Sequence, residues 1–199
     1  TDLLKLSEAA LRKGSDYLFR RSLFDDLALV KGKHFIGIVG PRGAGKTIML
    51  QQLASMMDNS FYLSLDLLDR NADLFNLIER LAQEYRFKNF FLDEIHFHAN
   101  PTGFLKKAYD FLDIRIFFTS SVALQMRATA HDLSRRVRLY ELSYLSFREY
   151  LKLKHEQHLP KLTLDDLLTG KVSDEHFRSH SKWSEYANCG LLPFALEEP

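Results

Sequence analysis

Cysteine is almost missing. The 199 residues hold one, Cys189, which excludes an intramolecular disulfide framework and suits a reducing compartment, so a cytoplasmic setting is expected. Charge of one sign is also lacking. Lys and Arg number 27 against 26 Asp and Glu, a net charge of +1, so bulk electrostatics point to neither nucleic acid nor an anionic membrane and leave only local patches for such contacts. No apolar run approaches the roughly 18 residues that span a bilayer. Asp2, Lys5, Glu8 and Arg12 interrupt the first residues, so no signal peptide is read there. Internal repeats, low-complexity tracts and long linkers are likewise not found. Because the chain opens on Thr1 and ends on Leu196-Glu197-Glu198-Pro199 without a clear final element, it reads as a fragment of a longer protein.

What is present centres on Gly40-Pro41-Arg42-Gly43-Ala44-Gly45-Lys46-Thr47, which fits G-x-x-x-x-G-K-[ST] in full. Residues 34–39 before it read as a short buried strand. After it, Ile48 to Ala54 has helix-forming composition, with Leu50, Leu53 and Ala54 on one face. Strand, glycine-rich turn and helix are what phosphate binding requires. The glycines let successive N–H groups point at one phosphate chain, and the helix N-terminus adds favourable partial charge. In this reading residues 40–48, Ile48 included, cradle a nucleotide. Lys46 reaches its β/γ-phosphates, and the Thr47 hydroxyl takes a place on Mg²⁺.

Along the rest of the chain, residues 2–13 predict an amphipathic helix. Gly14-Ser15-Asp16 is read as a break that caps a second helix running on through Leu29. Strands are expected at 61–65, 89–94, 114–119 and 136–142. Helices are expected at 72–85, 103–111, 122–128 and 146–153, the last with Ser146 and Glu149 forming a capping box. Strands alternating with helices imply an α/β, three-layer fold: a P-loop NTPase with a mainly parallel five-stranded sheet and helical additions at both ends. The expected organisation is N-terminal helices over 1–30, a core over 31–155, and a helical segment over 156–199 that begins a following domain.

The apolar strand ending Leu92-Asp93-Glu94 places Asp93 47 residues after Lys46. At the C-terminal edge of a strand, Asp93 could hold Mg²⁺, and Glu94 could act as the general base that polarises water for attack on the γ-phosphate. An isolated Asp-Glu is more often a pair of solvated acids; behind a phosphate loop at this spacing the balance reverses. Thr119-Ser120-Ser121 closes the fourth strand. If that strand lies between the other two, the Thr119 or Ser120 hydroxyl faces the γ-phosphate. Arg136, beside Arg135, could neutralise charge on the transferring phosphoryl group, in cis or from a neighbouring subunit, or could be a solvated strand start.

Gly-Pro-Arg-Gly-Ala-Gly-Lys-Thr, Phe-Leu-Asp-Glu-Ile-His, Phe-Phe-Thr-Ser-Ser, Leu-Ser-Arg-Arg-Val and Leu-Ser-Phe-Arg-Glu-Tyr-Leu occur in that order. Together they resemble the AAA-type ATPases of prokaryotes, in which this domain usually precedes a winged-helix-like segment and a nuclease-like domain. The resemblance covers about residues 20–196. It implies ATP or ADP with Mg²⁺ as ligands, Thr119 or Ser120 at the sensor position, and Arg136 on the arginine of the family's Ser-Gly-Arg segment. Arg135 and Ser120 replace usual glycines, His96 stands where Gln is common, and Leu191 replaces the second of a Gly pair.

Four functions therefore stand open: an ATPase, a nucleotide-gated module that hydrolyses little, a DNA-acting ATPase, and, more weakly, a nucleoside kinase. Self-association or a protein partner would be needed for an arginine supplied in trans, and no membrane partner is expected. The pairs His96/His98, His155/His158 and His176/His180 lack an evident third ligand and are not read as metal sites.

Overall fold

The computed structural model describes residues 2–122 and 133–193. The chain forms two compact units that divide between Ser143 and Tyr144. The helix expected over 122–128 lies almost wholly outside the described residues.

The first unit is built on five strands: β1 (Phe35–Val39), β2 (Ser60–Ser64), β3 (Asn89–Asp93), β4 (Arg115–Ser120) and β5 (Val137–Glu141). Every pairing is parallel and the order is β2-β3-β4-β1-β5. Helices α1 (Asp2–Asp16), α2 (Leu23–Ala28) and α3 (Lys46–Met56) pack on one face, and α4 (Leu74–Glu84) and α5 (Pro101–Phe111) on the other. The three-layer α/β fold is thus the one the alternation of elements implies.

The period-two alternation of a strand explains how adjacent aromatics serve both layers. Phe90, Phe118 and Phe61 belong to the core beneath α4 and α5, whereas their neighbours Phe91, Phe117 and Tyr62 belong to the core beneath α3. Phe91 and Phe117 stack with ring centroids 4.9 Å apart. Edge strand β2 presents unpaired backbone groups, and α1 covers one of them: Tyr62 N–H donates to the buried Ser7 hydroxyl at 2.9 Å.

Two local expectations fail, for one reason. Gly14 does not break the first helix. It lies inside α1, buried, where a Cβ would stand 2.3 Å from the Gln51 carbonyl oxygen of α3. It is a close-approach residue rather than a stop signal. The second helix starts at Leu23, and residues 17–22 are not helical. Their backbone is engaged elsewhere, because the Gln52 side-chain amide of α3 donates to the carbonyls of Tyr17 and Phe19, both at 2.8 Å.

In the second unit α6 (Phe147–His155) carries the expected capping box between Ser146 and Glu149. It is followed by α7 (Leu164–Leu168), α8 (Asp174–Arg178) and α9 (Trp183–Cys189). The Leu-Ser-Phe-Arg-Glu-Tyr-Leu stretch of residues 145–151 meets Tyr186, Gly190 and Leu191 here. Leu145 N–H donates to Leu191 O at 2.9 Å, Tyr186 O–H donates to Leu145 O at 2.6 Å, and a Cβ on Gly190 would stand 2.6 Å from the Tyr150 ring.

The Gly14 contact yields a first prediction. Gly14→Ala gains up to about 1 kcal/mol of helix propensity but drives a methyl into the backbone of α3, and overpacking of this kind costs about 1–3 kcal/mol. Urea denaturation should therefore show a net loss of stability; a variant as stable as the parent would mean that α1 and α3 do not approach as described.

Candidate nucleotide site

Beyond β1 the chain turns at Gly40, where a Cβ would meet the Leu142 carbonyl oxygen at 2.1 Å. No other residue fits against the end of β5 there. Gly43 and Gly45 take φ of 81° and 91°, the left-handed region open to glycine. Gly45 is the N-cap of α3 and offers no side chain to the first-turn N–H groups. Those groups, including the ones on Lys46, Thr47 and Ile48, make a donor-rich helix start. Pro41 and Arg42 lie at the outer rim of the turn, Arg42 exposed, and Ala44 is fully buried.

The Lys46 side chain folds back over this loop and donates to the carbonyls of Gly40 and Pro41 at 3.0 and 2.9 Å. Burial lowers its pKa, while the charges of Glu94 and Asp93 act to raise it again. The ammonium therefore sits between its own loop and two carboxylates.

Sequence reasoning missed a brace behind the loop. Arg21 is 7% exposed; it donates to Ala44 O and, at 3.0 Å, to Ser143 O. It ties the non-helical 17–22 segment to the phosphate loop and to the end of the first unit. A single arginine fourteen residues before β1 (by subtraction of 21 from 35) carries no motif, so nothing in the sequence signalled it.

Asp93 ends β3 at 2% exposure. Tyr62 O–H donates to its Oδ2 at 2.9 Å and Thr119 O–H donates to its Oδ1. Burial and the neighbouring Asp93 charge push the Tyr62 phenol pKa up strongly. Thr119 also accepts Glu94 N–H at 2.9 Å. Glu94 itself is held in the left-handed region, φ 52°, an uncommon setting for a residue with a Cβ. Its Oε2 is approached by Ser121 N–H at 3.3 Å, Ser121 Oγ at 3.2 Å and His96 Nδ1 at 3.2 Å. Ser120 is fully buried; its hydroxyl accepts Val122 N–H at 3.2 Å and lies 3.5 Å from His96 Nδ1.

The strand order thus gathers Lys46, Asp93, Glu94, Thr119 and Ser120 at the C-terminal edge of the sheet, with β4 between β3 and β1. Arg136 is not gathered there. Phe35 N–H donates to Arg136 O at 2.8 Å, which sets Arg136 at the opposite, N-terminal edge. Five residues of β1 at roughly 3.3 Å each separate that edge from the loop, roughly 16 Å. Its guanidinium makes a bidentate pair with Asp110 of α5 at 3.0 and 2.9 Å, holding that carboxyl below its ordinary pKa. Within this chain, Arg136 does not reach the site.

A helix start rich in N–H groups, a lysine and a glycine cradle fit a triphosphate. One buried carboxylate, Asp93, and a threonine hydroxyl at the helix start, Thr47, are the kind of oxygen ligands that fit Mg²⁺, which takes few protein ligands and completes its shell with phosphate oxygens and water.

Residues 32–151 match the AAA domain family. The chain belongs to that family. Among solved structures, this AAA domain is similar to PCH-2 from C. elegans, with 17% identity over 88% of this chain and 49% of that one, TM-score 0.47. It is also similar to AMPPCP-bound DnaA from Aquifex aeolicus, with 15% identity over 94% of this chain and 62% of that one, TM-score 0.43. It therefore spans about half the length of the first and 62% of the second. No curated protein matches it in sequence. Among the described residues, no helix is long and apolar enough to cross a membrane.

The buried carboxylate supplies a second prediction. Tyr62→Phe keeps the ring but removes a donor from Asp93, and an under-satisfied buried acceptor costs about 1–3 kcal/mol. Denaturant unfolding should report a loss of that size; an unchanged midpoint would mean that Asp93 is solvated rather than held by Tyr62.

Proposed function

We propose that this AAA domain binds ATP or ADP with Mg²⁺ and hydrolyses ATP to ADP and phosphate, coupling turnover to a conformational change. The observation that carries the reading is the convergence of Lys46, Asp93, Glu94 and Thr119 at one sheet edge beside an uncapped helix start. The first-turn N–H groups of α3 and Lys46 would hold the phosphate chain, Lys46 leaving the Gly40 and Pro41 carbonyls to do so. Thr47 and Asp93 would hold Mg²⁺, which when bound neutralises charge on the β- and γ-phosphate oxygens. Glu94 takes a proton from the attacking water as the new P–O bond forms and the bond to the ADP oxygen breaks. Thr119 fixes Asp93 and the Glu94 backbone together, and Ser120 lies next to them.

Because Arg136 stands at the far edge of its own sheet, we read any phosphoryl contact it makes as one to a second copy or to a partner chain. Adenine specificity, a cytoplasmic setting, and the reading of residues beyond 156 as the start of a winged-helix-like and nuclease-like region rest on the resemblance and composition alone. A second reading, a nucleotide-gated interaction module with little turnover, is favoured by one observation: the Glu94 carboxylate is already engaged by Ser121 and His96.

Isothermal titration with ATP, ADP and GTP plus Mg²⁺, followed by phosphate release on the same sample, tests both. Adenine nucleotides should bind and phosphate should be released. Lys46→Ala should abolish the binding heat. Glu94→Gln should leave affinity within a few-fold and cut turnover by about 10²–10⁴-fold, the range for a lost general base. Binding without release would favour the gated module, and no binding would remove the central claim.

A further inference from the structure

We propose that His96 and Ser121 form a clamp that fixes the Glu94 carboxylate by one oxygen, Oε2, and leaves the other, Oε1, for the attacking water. The inference rests on the ATPase reading of Glu94 and makes His96 and Ser121 positioning residues, since neither touches the reacting atoms.

The backbone of Glu94 is held before its side chain is considered. Its N–H is donated to Thr119 at 2.9 Å, its carbonyl accepts Phe97 N–H at 3.0 Å, and its φ is 52°. A left-handed residue at the end of β3 directs its side chain back toward the end of β4, where Ser121 follows directly on Ser120. Three donors then meet at one oxygen: the Ser121 amide at 3.3 Å, the Ser121 hydroxyl at 3.2 Å and His96 Nδ1 at 3.2 Å. Each is long for a charge-assisted bond and individually modest. Their convergence on Oε2 is what restricts the rotamer.

The clamp requires one distribution of protons, in which Ser120 Oγ, 3.5 Å from His96 Nδ1, does not donate to that nitrogen. For His96 to bond a carboxylate through Nδ1, that nitrogen carries the hydrogen, which makes Nε2 an acceptor in the neutral ring. Ser121 Oγ lies 3.4 Å from Nε2 and 3.2 Å from Glu94 Oε2. Its single proton serves either one, so the serine closes the ring of three groups. The imidazole is steadied by Phe97, 4.8 Å away between centroids. His96 and Glu94 side chains are 18% and 24% exposed, which leaves solvent access to the carboxylate while its orientation is set. A glutamate free to turn would present a lone pair to the water only part of the time, and small errors of position at a reacting centre cost large factors in rate.

The test compares His96→Ala, His96→Asn, Ser121→Ala and Glu94→Gln in steady-state phosphate release, with ATP affinity measured by titration. His96→Ala should lower kcat by about 10- to 100-fold, with KM and ATP affinity nearly unchanged. His96→Asn, whose amide N–H can stand where Nδ1–H does, should recover most of the loss. Ser121→Ala, which keeps the backbone donor, should lose less than His96→Ala. A His96→Ala enzyme with wild-type kcat, beside a Glu94→Gln enzyme that is impaired, would overturn the clamp and leave the ATPase reading standing. Unimpaired Glu94→Gln would instead sink the role of Glu94. A measurement that does not depend on turnover keeps the two apart: ¹⁵N–¹H long-range correlation on the full chain. His96 should appear as the Nδ1–H tautomer and lose that preference in Glu94→Ala; an Nε2–H ring in the parent would overturn the clamp whatever the rates.

Discussion

Asp93 is a carboxylate removed almost wholly from water, and the arrangement around it follows from that. Burying an ionised acid is costly unless donors and opposite charge replace its hydration. Both donors come from the strands that flank β3. Tyr62 on β2 reaches forward two residues along its strand to Oδ2. Thr119 on β4 stands beside Asp93, one step beyond the Leu92–Phe118 pair, and serves Oδ1. Lys46 contributes positive charge from the loop after β1. The order β2-β3-β4-β1 therefore holds together as an electrostatic unit at this edge, apart from the apolar packing beneath it.

The same crowding explains why small residues recur at a few positions. Gly40 lets the loop start against the end of β5, and Gly14 lets α1 lie against α3. Once α1 lies there, the side chain of Gln52 draws the 17–22 backbone out of helix, and Arg21 from that segment donates to the loop carbonyl at Ala44. A phosphate loop is a set of strained and donor-rich turns, and it keeps its shape through such outside ties. The N-terminal segment is thus part of how the site is built.

Much of this was legible because the signals were local. The phosphate loop is a contiguous pattern; the Asp93-Glu94 pair follows an unmistakable apolar strand; and alternating elements fix a parallel sheet within narrow limits. What could not be read depends on contacts distant in sequence. Gly14 looks like a breaker until the backbone of α3 is seen beside it. Arg21 looks like an exposed charge until Ala44 and Ser143 are placed on it. His96 reads as an unassigned ring, and Ser121 as one hydroxyl among three, because only the positive φ of Glu94 turns the carboxylate toward both. The fourth-strand hydroxyls were picked out as a group, but their division of labour was not. Thr119 serves Asp93 and the Glu94 backbone, Ser120 turns to Val122, and Ser121 meets the glutamate.

The two edges of the sheet divide the chemistry in a way that bears on assembly. One edge holds Lys46, Asp93, Glu94 and Thr119, the groups proposed for phosphate, metal and water, within a few residues of three strand ends. Arg136, the remaining cation singled out from the sequence, is at the other edge and is occupied by Asp110. Five residues of strand lie between the two edges, so no side-chain rotation in the same chain carries that guanidinium to Lys46. If positive charge beyond Lys46 is needed at the γ-phosphate, Arg136 of the same chain does not supply it, whereas Arg42 lies exposed in the phosphate loop itself. Arg135 and Arg138 flank Arg136 at the start of β5 and so share its edge. Should Arg136 act across an interface with another copy, Asp110 is the group that must release it.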